Sequence, residues 1–199
     1  LRLTPVEPLV PRYLRLGVPE RLRWNGEVST PLDEAAVEQA LTALEHAGVE
    51  GLAVCFLFAY LNPQHEQRVA ALIRARFPDM YLSLSHEILP QIKEFDRLST
   101  TVVNAYVGPV FGNYLRHLKT RLEVLAPLHD VLIMQSNGGV APIDDAQRLA
   151  VQAILSGPAG GVNGAACYGQ QLGLAKIIGF DMGGTSTDIA LIENGIPHL

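Results

Sequence analysis

Along the chain, segments with the apolar pattern of strands alternate with segments that have the apolar spacing of amphipathic helices. The continuous apolar run from Leu52 to Phe58 predicts a strand that is buried on both faces. Apolar residues at helical spacing lie on either side of this run, and they predict one helix between Thr30 and Gly48 and another between Asn62 and Pro78. A short strand pattern follows at 81–84. Strand, helix and strand of these lengths are typical of a parallel βαβ unit, so the pattern predicts an α/β fold.

The remaining pattern predicts further strands and one long helix. Alternating residues at 13–18 and at 21–24 predict two half-buried strands. A helical stripe extends over 97–125, and Pro109 is expected to kink or break that helix because its nitrogen cannot donate a hydrogen bond. Apolar strands are also predicted at 131–134, 176–181 and 189–192.

The turn between the last two strands carries the most informative chemistry of the chain. It contains two acids, two glycines and two threonines: Asp181, Gly183, Gly184, Thr185, Thr187 and Asp188. Glycines can adopt positive φ and leave backbone N–H groups uncovered, so the turn is suited to a phosphate. The acids would repel a bare phosphate, which indicates a divalent cation such as Mg²⁺ between them. A glycine-rich β-hairpin turn without a ligand is the alternative.

A second glycine-rich segment precedes this turn. Ser156 can cap a helix whose first turn contains Pro158. Glycine lowers the stability of a helix by about 1 kcal/mol relative to alanine. The glycines that follow are therefore expected to have a specific structural role. Four small residues recur at helical spacing: Gly157, Gly161, Gly164 and Ala165. They predict a helix face without side chains, which another backbone or a nucleotide can approach closely.

Together these two segments, LSGPAGGVNGAA at 155–166 and GFDMGGTSTDIALIENG at 179–195, resemble the hydantoinase A / 5-oxoprolinase family. Stretches at 48–69, 85–107 and 131–140 are similar to the same family, so the resemblance covers nearly the whole chain. The resemblance implies the actin/Hsp70/sugar-kinase fold, which is ribonuclease H-like. That fold has a mixed sheet with helices on both faces, in two lobes that close on ATP. Each lobe supplies one Asp-x-Gly phosphate turn, and this sequence contains only the second.

The resemblance also implies how the chain divides and which residues serve the nucleotide. Residues 1–155 would be most of the first lobe, and residues 156–199 would be the start of the second. Asp181 would support Mg²⁺ and catalysis. The nucleotide contacts would be Gly157, Gly160, Gly161, Gly183, Gly184, Thr185, Thr187 and Asp188.

The activity that the resemblance implies is ATP-dependent hydrolysis of a cyclic amide such as hydantoin, N-methylhydantoin or 5-oxoproline, with phosphorylation of the amide oxygen. A second subunit or domain of the hydantoinase B type is the implied partner. One alternative is an ATP-dependent ketone carboxylase subunit of the same family, and another is a non-enzymatic nucleotide switch of the Hsp70 or actin kind. A degenerate dinucleotide fingerprint at Ala159, Gly161 and Gly164 also leaves an NAD-binding Rossmann module open.

Two other polar clusters are candidate substrate contacts. Ser136 and Asn137 follow the strand at 131–134, and ligands of α/β sheets bind at the carboxyl ends of strands. The alternative for this loop is a tight Asn-Gly turn that joins two strands. Arg97 could hold a carboxylate or a phosphate in two-point contact. Its acidic and hydroxyl neighbours are also what the start of a helix requires.

Composition narrows the class of protein. Of the 199 residues, 48% are hydrophobic and 18% are charged, which excludes disorder. The net charge of −5 gives no excess of positive charge that would bind nucleic acid or an anionic membrane. No apolar run approaches the ~20 residues of a membrane helix. Cys55 and Cys167 are expected to be buried free thiols of a cytoplasmic protein. Both ends of the sequence look cut, so we expect a piece of a longer protein that is inactive alone.

Overall fold

The computed structural model describes residues 8–125 and 130–198 of the chain. The chain divides into two compact units between Val110 and Phe111. One long helix contributes to both units.

The first unit combines short strands with helices. Its strands are β1 (Arg21–Leu22), β2 (Val28–Thr30), β3 (Gly51–Val54) and β4 (Tyr81–Leu84). Its helices are α1 (Glu34–His46), α2 (Gln64–Arg76), α3 (Ser85–Ile88) and α4 (Glu94–Leu125), of which α4 continues into the second unit. Strands β1 and β2 pair antiparallel, whereas β3 and β4 pair in parallel with α2 as their connection. The predicted βαβ unit is therefore confirmed.

The core of the first unit lies between α1, α2 and the β3–β4 pair. Its buried cluster consists of Val37, Leu41, Leu52, Val69 and Ile73. These residues come from the helical stripes and the apolar strand that the sequence pattern predicted. Burial of aliphatic side chains of this size contributes about 1.5–3 kcal/mol each, which holds both helices against the strands.

Two strand predictions for this unit need correction. Residues 13–18 do not form a strand, and the chain instead forms a 3-10 helix at Arg12–Leu14. Strand β3 ends at Val54 and does not reach Phe58. Phe58 adopts a positive φ of 62°, which a strand cannot accommodate.

The starts of the two amphipathic helices are only partly as predicted. Helix α1 is capped by Asp33, whose carboxylate accepts a hydrogen bond from the N–H of Ala36. Thr30, where the sequence pattern placed the beginning of this helical segment, belongs to β2. Helix α2 begins after Pro63 without a side-chain cap, and the side-chain oxygen of Asn62 accepts from the N–H of Gln64 at 3.2 Å.

Helix α4 is continuous through Pro109, so the predicted break does not occur. The proline ring removes the N–H that would donate to the carbonyl of Ala105. That carbonyl oxygen faces Gly51 so closely that a methyl group there would lie 2.6 Å from it. A methyl group at Gly108 would overlap the ring of Tyr81. Glycine at these two positions thus lets the strand pair approach the helix at the turn that contains the proline.

The second unit is built from antiparallel strands and short helices around one longer helix. Its strands are β5 (Leu132–Met134), β6 (Val140–Pro142), β7 (Lys176–Met182), β8 (Thr187–Glu193) and β9 (Ile196–His198). Its helices are α5 (Ile143–Arg148), a 3-10 helix (Ala150–Ala153) and α6 (Ser156–Gln171). Strands β5 and β6 form one hairpin, while β7, β8 and β9 form a sheet. The three strands predicted for this part of the chain are thus confirmed.

The α/β class is confirmed, but the strands of the described residues do not join into one mixed sheet. They form four small sheets, three of two strands and one of three. The antiparallel pairs join neighbours in sequence, and within the described ranges β3 and β4 alone pair across a helix. The predicted division into lobes at residue 155 differs from the division into compact units and stays a prediction.

Two smaller expectations concern the cysteines and the membrane. Cys55 is half-buried, whereas Cys167 is exposed, so the prediction of a buried thiol is wrong for Cys167. Among residues 8–125 and 130–198, none of the helices combines the length and the apolar character that a bilayer span requires. The cytoplasmic location stays a prediction.

Candidate functional site

Helix α6 lies lengthwise against strand β7, and helix residues one turn apart meet alternate residues of the strand. The contacts pair Gly169 with Ile177, Ala165 with Gly179, and Gly161 with Asp181. Four residues of a helix advance about 6 Å and two residues of a strand about 6.6 Å, so the two repeats stay nearly in step. The small residues along this helix stripe let helix and strand approach closely.

The closeness of approach differs between the two ends of the stripe. A methyl group at Gly169 would overlap the side chain of Ile177. A methyl group at Gly161 would lie 3.9 Å from a carboxylate oxygen of Asp181, which is an ordinary contact distance. The stripe therefore packs tightly at the Gly169 end and leaves room beside Asp181.

Asp181 stands near the carboxyl end of β7, beside the first turns of α6. Because α6 runs antiparallel to β7, the N-terminus of the helix lies at the same end as Asp181. The N-terminus of a helix carries partial positive charge and unpaired N–H groups, both of which favour an anion. This end of the helix–strand pair therefore offers an anion site next to an exposed carboxylate.

The turn after β7 keeps its backbone open. The N–H of Gly183 donates to the carbonyl of Ser186 at 3.0 Å, and the described residues supply no acceptor for the N–H groups of Gly184 and Thr185. The expected positive φ is wrong for both glycines, because a four-residue loop can close with ordinary φ values. A methyl group at Gly184 would meet no atom within 4 Å. The glycines thus act here by leaving the backbone uncovered.

The two acids of the turn face each other across the hairpin. Asp181 and Asp188 are direct partners in the β7–β8 register, so their side chains lie on the same face of the sheet. Both residues are exposed. Neither forms an ion pair with any other described residue, although charged pairs do form at the far end of the same hairpin. Like charges directly opposite each other destabilise a hairpin, and a cation between them would remove that repulsion.

The donor set around this acid pair fits Mg²⁺. Carboxylates and the hydroxyl of Thr185 are oxygen donors that this cation prefers, and it is usually held by one or two carboxylates together with phosphate oxygens and water. Thr187 pairs with Met182, so its side chain lies on the opposite face of the sheet from the two acids. The described part of the chain contains no group of three or more His, Cys, Asp or Glu side chains that could hold a metal ion. The chemistry of the site therefore fits a cation shared with a phosphate.

The glycines of α6 that were assigned to nucleotide contact occupy its first two turns. A methyl group at Gly157 would meet no atom within 4 Å, and one at Gly160 would lie 3.7 Å from the side chain of Met134. A methyl group at Gly164 would also meet no atom within 4 Å. The helix face that contacts β7 therefore differs from the predicted face, which included Gly164. The prediction that Ser156 caps the helix is wrong, because Ser156 is the first helical residue and the start of α6 has no side-chain cap.

The β5–β6 hairpin loop is docked on the start of α6. The hydroxyl of Ser136 donates to the carbonyl of Gln152 and accepts from the N–H of Leu155, which directly precedes the helix. The side-chain amide of Asn163, on α6, donates to the carbonyl of Gly138 at 2.6 Å. The structure thus brings the predicted loop and the predicted small-residue helix together.

Inside this loop the tight-turn alternative is confirmed. Gly138 has a φ of 83°, and its N–H donates to the carbonyl of Gln135 at 3.0 Å. The side-chain oxygen of Asn137 accepts from the N–H of Gly139 at 2.8 Å. Ser136 and Asn137 are exposed, but the hydroxyl of Ser136 and the side-chain oxygen of Asn137 form hydrogen bonds within the loop and to its support. Their substrate role stays a prediction.

Arg97 lies in the first unit and is completely buried. Its guanidinium donates to the carbonyls of Gln91 and Phe56 at 3.0 and 2.9 Å and to the hydroxyl of Ser85 at 3.2 Å. It also lies 5.2 Å above the ring of Tyr60. The structure thus uses this side chain internally, and its contact with a substrate stays a prediction.

Three residues have roles in the structure that the sequence did not reveal. Gly169 continues the spacing of Gly161 and Ala165 by one more turn, so extension of the small-residue stripe could have found it. Asn163 lies inside the glycine-rich segment, but no local signal marks its bond to the β5–β6 loop. Glu66 is a fully buried acid whose partners lie at least 10 positions away, which no local pattern encodes.

Sequence profiles of a known family match most of the chain. A profile described as Hydantoinase/oxoprolinase matches residues 97–199, and one described as Hydantoinase/oxoprolinase N-terminal region matches residues 2–77. The resemblance inferred from the two glycine-rich segments is therefore confirmed.

Individual relatives agree with these profiles. Caprolactamase subunit alpha from Pseudomonas jessenii is 42% identical over 96% of this chain, and 5-oxoprolinase from Saccharomyces cerevisiae is 38% identical over 82% of it. The chain spans 27% of the length of the first protein and 12% of the second. It therefore corresponds to about a quarter or less of these relatives.

Two solved structures resemble this one closely. The crystal structure of ATP-dependent caprolactamase from Pseudomonas jessenii matches with a TM-score of 0.84 at 42% identity, over 94% of this chain and 27% of that one. The nucleotide-free structure of acetone carboxylase matches with a TM-score of 0.83 at 33% identity, over 95% of this chain and 27% of that one. The chain belongs to the hydantoinase/oxoprolinase family.

Proposed function

We propose that the complete protein is an ATP-dependent hydrolase that opens cyclic amides. Two relatives support this proposal by name, the caprolactamase described as ATP-dependent and the 5-oxoprolinase. The observation that carries it is the opposed pair of Asp181 and Asp188 around an open glycine turn, at the N-terminal end of α6. A phosphate with its cation needs this combination of uncovered N–H donors and carboxylate oxygens.

Each part of this site has a proposed role. Asp181 supports Mg²⁺ and thereby catalysis, and Asp188 faces it from the neighbouring strand. The phosphates of ATP contact the open turn and the first two turns of α6. The residues proposed for these contacts are Gly157, Gly160, Gly161, Gly183, Gly184, Thr185, Thr187 and Asp188.

The proposed fold of the complete protein is that of actin, Hsp70 and the sugar kinases. Residues 1–155 would form most of its first lobe and residues 156–199 the start of its second. The β7–β8 hairpin with α6 supports the assignment to the second lobe, because that fold places a phosphate hairpin beside a small-residue helix.

The chemistry explains why an amide hydrolase uses a phosphate site. An amide carbonyl is a poor electrophile, and its phosphorylation by ATP would let water attack and the ring C–N bond break. Phosphoryl transfer depends mainly on positioning and on neutralisation of charge. The open turn and the paired acids serve these two needs, since the turn orients phosphate oxygens and the acids hold the neutralising cation.

The proposal also includes substrate contacts and a partner. Ser136 and Asn137 lie on a loop docked against α6 and are proposed to face the substrate. Arg97 keeps its proposed substrate role only if its buried hydrogen bonds rearrange. One relative is a subunit by name, caprolactamase subunit alpha, which supports a second subunit or domain of the hydantoinase B type as partner.

An ATP-dependent ketone carboxylase subunit is the second candidate. The close match to acetone carboxylase, with a TM-score of 0.83, favours it specifically. The Rossmann alternative receives no support, because it needs a strand directly before the first glycine and a 3-10 helix at Ala150–Ala153 precedes α6.

A substrate panel separates these candidates. The complete protein is incubated with Mg²⁺ and ATP, and ADP release is measured with caprolactam, 5-oxoproline, hydantoin and N-methylhydantoin, and separately with a ketone plus bicarbonate. We expect one cyclic amide to raise ADP release and to be consumed. Stimulation by the ketone with bicarbonate alone would favour the carboxylase. ATP turnover that no compound changes would favour the nucleotide switch.

A further inference from the structure

Glu66 is the centre of a buried polar cluster in the first unit. Its side chain is fully buried, and its two oxygens accept four hydrogen bonds. One oxygen accepts from the N–H of Phe56 at 2.9 Å and from the hydroxyl of Ser85 at 2.5 Å. The other lies 3.0 Å from the N–H of His86 and 2.7 Å from its ring Nδ1 atom. The N–H of Phe56, the N–H of His86 and the hydroxyl of Ser85 are donors, an arrangement that suits an ionised carboxylate.

The positive charge that balances Glu66 comes from Arg97. The guanidinium donates to the Ser85 hydroxyl, which in turn donates to Glu66. Arg97 is fully buried as well, and an arginine stays protonated in proteins. Arg97 therefore places a buried positive charge beside Ser85, one hydrogen bond away from Glu66.

This arrangement fixes which ring nitrogen of His86 carries the proton. An ionised carboxylate can only accept, so Nδ1 must donate to Glu66. In the neutral ring the other nitrogen, Nε2, is then an acceptor with a lone pair. No hydrogen bond to Nε2 exists within the described residues, and its nearest charged neighbour is a Glu87 oxygen at 4.0 Å. The His86 side chain is 12% exposed while Glu66 is not exposed at all, so the imidazole is the part of the cluster that reaches solvent.

The Glu66–His86 pair lies beside the ends of two paired strands. Phe56 follows β3 and His86 follows β4, so the cluster lies at the carboxyl ends of two parallel strands, where α/β proteins bind ligands. Two residues of the adjoining loops adopt strained backbone conformations, Phe58 with a φ of 62° and Lys93 with a φ of 74°. Such strain concentrates at active sites and ligand clamps.

We propose that His86, oriented by Glu66, is the proton acceptor that activates water for opening the cyclic amide. Nε2 takes a proton from water as the oxygen forms a bond to the carbonyl carbon. The imidazolium is stabilised by the Glu66 carboxylate, and its proton passes to the ring nitrogen as the C–N bond of the phosphorylated amide breaks and leaves an acyl phosphate. A second water then cleaves the acyl phosphate, which releases phosphate and the ring-opened carboxylate. The inference rests on the proposed function and adds to it the residue that moves the proton.

The chain offers a matched control for this role. His65 also has its Nδ1 atom 2.7 Å from a carboxylate oxygen, that of Glu20, and both side chains are nearly buried at 8% and 6% exposure. A purely structural histidine–carboxylate pair should behave like His65. A proton acceptor should change the chemistry when it is lost.

The test replaces His86 with asparagine in the complete protein, because the side-chain N–H of asparagine can take the place of Nδ1 towards Glu66. ADP and ring-opened product are measured together for the wild type, His86→Asn and His65→Asn. We expect His86→Asn to lower ring opening at least about 100-fold while ADP release falls much less, with partial recovery on addition of imidazole. We expect His65→Asn to change the melting temperature and not the ratio of the two products.

A pH profile of the wild type provides a second test that needs no substitution. A histidine base loses activity when acid protonates it, and the charged groups that face His86 are Glu66 on α2, Glu87 on α3 and, through Ser85, Arg97 on α4. Ring opening in His86→Asn equal to that of the wild type, or a flat wild-type profile, overturns the inference and leaves the proposed function standing. A wild type that never couples ATP to ring opening overturns both.

Discussion

Arg97 and Asp181 show how the surroundings of a charged side chain decide what that side chain can do. Arg97 is fully buried, and its guanidinium reaches acceptors on three separate segments. Asp181 is exposed, and the residue opposite it carries the same charge. The first arrangement stabilises the fold, whereas the second leaves a carboxylate available for a cation. From the sequence alone both residues were candidates for ligand contact.

The variant Arg97→Lys tests the structural role of Arg97. The planar guanidinium donates to the carbonyls of Gln91 and Phe56 and to the hydroxyl of Ser85, and a lysine ammonium group cannot reproduce this geometry. Some of these buried acceptors would therefore lose their hydrogen bonds. We expect the free energy of unfolding to fall by about 2–4 kcal/mol, measured by chemical denaturation. The matched control is Arg68→Lys, because Arg68 pairs with Glu34 on the surface and should tolerate the change.

Equal stability of the two lysine variants would contradict this account of Arg97. A loss of substrate affinity in Arg97→Lys without any loss of stability would instead restore the substrate role that the sequence suggested.

The variant Asp181→Asn tests the cation role of the hairpin acids. In the ligand-free protein the melting temperature should stay the same or rise slightly, because one of two opposed charges is removed. Nucleotide with Mg²⁺ should stabilise the wild type by about 2.7 kcal/mol at a hundredfold excess over Kd, and this stabilisation should be lost in the variant. Glu193→Gln, at the other end of the same strand pair, is the control. An undiminished nucleotide-induced shift in Asp181→Asn would exclude this role.

At the scale of elements, the sequence predicts the helices and turns that local signals determine. It does not predict contacts between residues that are far apart along the chain. The hairpin after Asp181 and the small-residue helix follow from local signals, and both are present. The strand expected at 13–18 is absent although its residues alternate, because alternation alone does not supply a pairing partner. The cluster around Glu66 joins residues 10 to 20 positions apart, and Arg97 bonds across 41 positions. No periodicity reports contacts of that kind.

The stripe of α6 can be tested with two alanine substitutions on the same helix. Gly169→Ala should destabilise the protein by about 1–3 kcal/mol, because the added methyl group would overlap the side chain of Ile177. Gly164→Ala should instead stabilise the helix by about 0.5–1 kcal/mol, because a methyl group there meets no atom within 4 Å. Thermal and chemical unfolding of both variants provide the comparison. Destabilisation by Gly164→Ala of the same size would contradict the assignment of the contact face.

At the scale of the whole molecule, one face of the β7–β9 sheet stands out. The face that packs on α6 ends at the acid pair, and alternate residues point to the other side. Exposed apolar side chains occupy that other side: Ile178, Phe180, Met182, Ile189, Leu191 and Ile196. An apolar surface of this kind in contact with water favours association.

We expect residues 1–199, produced alone, to associate and not to turn over ATP. The chain spans 27% of the relative caprolactamase subunit and contains one glycine phosphate turn, whereas the proposed fold uses two. Sedimentation at increasing concentration measures the association, and replacement of Phe180 and Ile189 by lysine should reduce it. Steady ADP release from these residues alone would show that one turn suffices.

The most direct test of the central proposal measures ADP and ring-opened product in one reaction of the complete protein. The wild type is supplied with Mg²⁺, the cyclic amide that stimulates it, and either ATP, no nucleotide or a non-hydrolysable ATP analogue. We expect both products to form in a fixed ratio with ATP and neither to form under the other two conditions. Asp181→Asn, verified as folded, should lose both products together. Ring opening at the wild-type rate without ATP, or in Asp181→Asn, would contradict the proposed ATP-dependent hydrolysis.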